Sequence, residues 1–140
     1  MITPSPTAKI DPSLARGVNA GEAGGTLRFG VPNTNYEIHL VPEQPVTTPE
    51  GKRLVGVIRA KARRIDVVST GGRFIEPVTG RPRRIQGIVI RTDSGGVVVD
   101  AGIPIHCATT DPRQSPDQFK PGDLIACDLL AGTSFEMRSA

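Results

Sequence analysis

Glycine and proline punctuate this chain from end to end, sixteen and thirteen of its 140 residues. Inside a helix each glycine costs about 1 kcal/mol and each proline about 3 kcal/mol. A chain interrupted at that rate suits short strands joined by tight turns. Its length fits one domain with a core that needs no disulfide or metal staple.

The pattern along the chain agrees. Residues 1–35 are rich in Pro, Gly, Ala, Ser and Thr and show neither a two-residue nor a 3.6-residue apolar period. They read as an extended N-terminal arm, with a helical turn over 11–16 that Asp11 would cap. From Tyr36 onward short β-rich runs alternate with turn residues. The expected strands cover 36–41, 53–68, 73–78, 84–92, 97–100, 103–107, 124–130 and 134–138, the last two forming a closing pair. Gly56 is expected to mark a bulge that bends the long second run. Asp93-Ser94-Gly95-Gly96 reads as a hairpin connection, because glycine supplies the positive φ that a reversing chain needs. A single helical turn is expected at 116–119. The predicted fold is all-β: residues 36–140 form one small closed or partly open β-barrel, preceded by the arm.

From residue 53 this order resembles the OB-fold, a five-stranded Greek-key barrel. A long curved strand is followed by a central hairpin, a linker where that family often has a helix, and a final hairpin. The resemblance is topological and carries no site residues with it. Asp93-Ser94-Gly95-Gly96, following arginine, also resembles the PilZ domain, a barrel that binds cyclic dinucleotides. The spacing departs from that family's D-x-S-x-x-G element, so nothing is carried over from it either.

Net charge is +3, but the average conceals a strong asymmetry. Residues 1–50 hold three basic and five acidic groups, residues 51–92 eleven and two, and residues 93–140 three and seven. Segregation of this kind speaks of partners rather than of fold. Within the basic third, alternation along a strand puts Arg59, Lys61 and Arg63 on one face and Ile58, Ala60 and Ala62 on the other. At roughly 3.3 Å per residue the three cations span about 13 Å, comparable to two or three successive phosphates. Arg64, Arg73, Arg81, Arg83 and Arg84 would widen the row, arginine being suited to bidentate phosphate contacts. Two plainer readings compete with this one: a solvated strand face, or a basic third that meets the acidic one within the chain or between subunits.

Single-strand recognition usually adds aromatic stacking platforms. The chain holds only Phe29, Tyr36, Phe74, Phe119 and Phe135. Phe74 is the one candidate for stacking, with the core as its ordinary place. Catalytic chemistry finds little support. His106 and Cys107 are adjacent and so point to opposite faces of a strand. His39 lies at no metal-ligand spacing from a second ligand, and neither glycine pair read in the basic third and its hairpin leads into a helix N-terminus. Cys107 and Cys127 read as buried small hydrophobes. No metal, no cofactor and no catalytic residue is expected.

The expectation is therefore a non-enzymatic binding module. Its basic face would take nucleic-acid backbone or another polyanion without reading bases. The alternative is a structural subunit of a homo-oligomer or larger complex, whose arm and complementary charged surfaces form the interfaces. The composition predicts no membrane partner and a cytoplasmic location.

Overall fold

The computed structural model describes residues 11–138. With 55 % of the described residues in strands and 2 % in helix, the all-β expectation holds. Eleven strands follow in chain order. They are β1 (Ala15–Ala23), β2 (Thr26–Gly30), β3 (Glu37–Pro42), β4 (Arg53–Val67), β5 (Phe74–Glu76) and β6 (Thr79–Gly80), then β7 (Arg84–Thr92), β8 (Gly96–Asp100), β9 (Pro104–Thr109), β10 (Leu124–Leu129) and β11 (Ser134–Met137). A 3-10 turn at Pro116–Gln118 stands close to the expected helical turn.

The long strand β4 organises everything else. Its first half pairs with β1 through residues 53–56 and with β11 through 56–59. Its second half pairs with β9 through 59–62, in parallel, and with β10 from Ala62 to Val67. Gly56, Arg59 and Ala62 each carry two partners, so β1 and β9 follow one another along one edge and β10 and β11 along the other. The pairing then closes twice. One circuit runs β4-β1-β2-β3-β11 and back to β4, the other β4-β9-β8-β7-β10 and back. In the second, β10 returns by the long connection after β9 to lie beside β7, the 4-1-2-3 order of a Greek key.

One hydrophobic cluster fills both circuits. Phe29, Ile38, Leu40, Leu54 and Phe135 belong to the first, with the rings of Phe29 and Phe135 tilted at 53° and 5.2 Å between centroids. Ile65, Ile85, Val97, Val99, Ile105 and Ile125 belong to the second. Ile58, Ala60 and Ala62 of β4 join the two, all buried, while Arg59, Lys61 and Arg63 point outward as alternation requires.

Several sequence expectations are corrected. Residues 15–30 are not an extended arm but a β1–β2 hairpin built into the chain's own sheet, and residues 1–10 of that arm lie outside the described residues. Residues 11–14 make a turn, with Leu14 N–H donating to the Asp11 carbonyl, and lead into a strand rather than a helix. Finally, β10 and β11 do not form a closing hairpin, because each pairs separately with β4. The bulge is displaced as well. Two residues of β4, Arg63 and Arg64, stand against one of β10, Asp128, between Ala62 and Ile65, while Gly56 sits where β1 and β11 both press against the strand. The β7–β8 hairpin forms as expected, but not through positive φ at Gly95 or Gly96: Asp93 Oδ1 accepts from the backbone N–H of Gly95 (2.8 Å) and Gly96 (3.0 Å), and Gly96 is needed because a Cβ there would meet the Cys107 carbonyl.

Candidate basic groove

The eight cations expected to bind phosphate divide into two sets of four. Arg59 lies 2.7 Å from Glu136 and 3.0 Å from Glu43, and Ser134 Oγ donates to the same Glu43 carboxylate. Partial burial works against the Arg59 charge, but its bonds to Glu136 and Glu43 more than offset that and raise its pKa. Arg64 pairs with Asp66 at 3.0 Å, Arg73 with Asp100 at 2.7 Å and Arg84 with Asp128 at 2.9 Å. Three of these contacts, to Glu136, Asp100 and Asp128, join the basic third to the acidic third within one chain. The other four, Lys61, Arg63, Arg81 and Arg83, have no carboxylate within ion-pair distance among the described residues.

Nor does the row on β4 stay together. Arg59, held in its acidic clasp, and Lys61 both line a cleft of about 440 Å³ beside the Asp93–Gly96 hairpin and Gly132. Arg63 faces a different concavity of about 770 Å³, on the other side of the 130–133 connection. That second concavity gathers Arg63 from β4 with Arg81, Arg83 and Arg84 from the stretch that leads into β7. Its position follows from strand pairing. The bulge at Arg63–Arg64 sets Arg63 beside β10, the backbone N–H of Leu129 donates to the Arg83 carbonyl, and Arg83 N–H donates to the Glu76 carbonyl. Those bonds fix the short 81–83 loop against β5 and β10.

The groove carries two acids, Glu76 and Asp128, the latter tied to Arg84, so its formal balance is two positive charges. A shallower depression sharing Arg63 and Leu130 continues it toward Arg113, a residue the sequence reading passed over. Arg113 is itself bound to Asp111, whose carboxyl the hydrogen bonds from Arg113 hold down at a pKa of about 2.

Phe74 is half-buried, opposite Gln86 on β7, and belongs neither to the core cluster nor to the arginine groove. His106 and Cys107 point to opposite faces. The imidazole Nε2 lies 3.0 Å from the Ser13 carbonyl, and the thiol is buried with Cys127 as its neighbour. Among the described residues no three His, Cys, Asp or Glu side chains come together as metal ligands.

Fold and groove define an all-β chain with two pairing circuits and an arginine-lined concavity at the side of one of them. No protein-family model, no curated protein and no solved structure matches this chain.

Proposed function

We propose that this chain is a non-catalytic binding module, each circuit a small barrel, whose arginine groove holds a polyanion through its phosphates. The supporting observation is convergence: two segments distant in sequence, β4 and the 81–84 stretch, deliver Arg63, Arg81, Arg83 and Arg84 to one concavity, and three of those guanidinium groups have no acidic partner among the described residues. Uncompensated arginines in a concave wall offer bidentate donors to phosphate oxygens. Arg59, Arg64 and Arg73, engaged with carboxylates, leave the set of phosphate contacts.

Such binding displaces condensed counterions, so log affinity falls linearly with log salt at about 0.7 to 0.9 per phosphate neutralised. A fluorescent oligonucleotide at about 50 mM salt is expected to bind, and the triple variant R63Q/R81Q/R83Q to lessen the slope by about 2 to 3. An unchanged slope in that variant, with the wild-type protein binding normally, would remove the groove from the interaction.

A further inference from the structure

The floor of the groove differs from its rim. Between the arginines lie Ile75, Pro77, Val78, Leu129, Leu130 and Ala131. Ile75 and Leu129 are buried, but Val78 is 50 % exposed, one of only three large hydrophobic side chains open to solvent among the described residues. A site for inorganic phosphate chains or for the outside of a duplex has no use for this surface. A duplex keeps its base faces stacked inside and offers its phosphates outward. A single strand offers both at once, phosphates to a charged rim and the apolar faces of sugars and bases to what lies beneath. Arginine guanidinium planes also stack on bases, which meets the absence of an aromatic platform here.

Resting on the polyanion reading above, we propose that the groove binds single-stranded nucleic acid, with backbone phosphates on Arg63, Arg81 and Arg83 and a sugar or base face on Val78 and Leu130. Glu76 and Asp128 lower the charge of the rim, so phosphate contacts alone give weak retention and the apolar floor supplies the preference among polyanions.

The test compares three probes: a labelled oligothymidylate of about ten nucleotides, a DNA duplex of the same length, and inorganic polyphosphate as competitor. The single strand is expected to bind at least about tenfold tighter than the duplex. V78S/L130S, which removes roughly 60 Å² of apolar contact, should weaken the single strand by about tenfold at an unchanged salt slope. Competition by polyphosphate should be the same against variant and wild type. Equal binding of strand and duplex, or no effect of V78S/L130S on the single strand, overturns the inference while leaving the polyanion reading intact. Retention of none of the three at about 50 mM salt overturns both. Should the double variant lose its circular dichroism spectrum, V78S alone carries the same comparison, because Val78 is half-exposed and outside the core cluster.

Discussion

Arg59 shows why a residue's chemistry is settled by its neighbours. Sequence alternation places it correctly on the outer face of β4, yet Glu43 from the loop after β3 and Glu136 from β11 claim its guanidinium. Neither acid is near it in sequence, and only the pairing of β11 with β4 brings Glu136 there. R59Q is therefore expected to leave oligonucleotide affinity within about twofold, where each groove arginine lost should reduce the salt slope. A loss at R59Q as large as at R63Q would mean that the clasp opens on binding. Gly56 is constrained just as tightly by sterics. A Cβ there would collide with the Glu136 carbonyl oxygen and stand 2.6 Å from the Phe135 ring. G56A should destabilise by about 1 to 3 kcal/mol, as overpacked sites do, read as a lowered urea midpoint. Cys107 makes a third case. The bond to Cys127 and then burial push its thiol well above the ordinary range. A raised folded pKa contributes stability that is complete below the unfolded thiol value of about 8.5 and is lost as pH rises beyond it. The urea midpoint should accordingly fall between about pH 8.5 and 10, and fall less in C107A.

Among the elements, what could be read from sequence depended on what each strand buries. The long run ending near Val67 and the β7–β8 hairpin are legible because Ile, Val and Ala alternate with cations or bracket a glycine turn. β1 is not legible, since its inward face is Ala15, Gly17 and Asn19, with Gly17 flush against the ring of Phe29. Small and polar residues facing inward erase the apolar period that marks a strand. A turn signal was nonetheless present. Gly24 and Gly25 both adopt positive φ, 57° and 86°, as a tight hairpin between β1 and β2 demands. The groove was legible in its residue types and not in its membership, because the bulge at Arg63 and the path of the 81–83 loop are tertiary facts. Ion pairs between elements also carry a pH signature. Arg28 on β2 lowers the pKa of Glu37 on β3, while Arg138 and Arg59 lower that of Glu136 on β11. Carboxylates lowered in the folded state contribute stability above their unfolded values of about 4, and that contribution is lost as pH falls through the folded values. Urea midpoints should be level near neutrality and decline below about pH 4, less steeply in E136Q.

At the scale of the whole molecule, the shared strand makes two circuits into one cooperative unit. β4 supplies a wall to each, and its buried Ile58, Ala60 and Ala62 run through the single hydrophobic cluster without a gap. Neither circuit closes without β4, so opening one exposes the edge that the other uses. This arrangement also braces the groove, whose Arg63 stands on β4 while its floor is the ends of β5 and β10 and the residues that follow them. Phe135 lies in the first circuit, in contact with Phe29 and remote in sequence from the groove arginines. F135A should cost about 3 to 5 kcal/mol, the usual range for a buried phenylalanine. Because the circuits share a strand, that loss should appear equally in both. Amide hydrogen exchange in β8 and β9, strands that belong to the second circuit alone, is expected to lose protection by the same free energy as β2 and β3. Protection retained in β8 and β9 while β2 and β3 exchange would show two separately folding halves, with β4 acting as a tether rather than as a common wall.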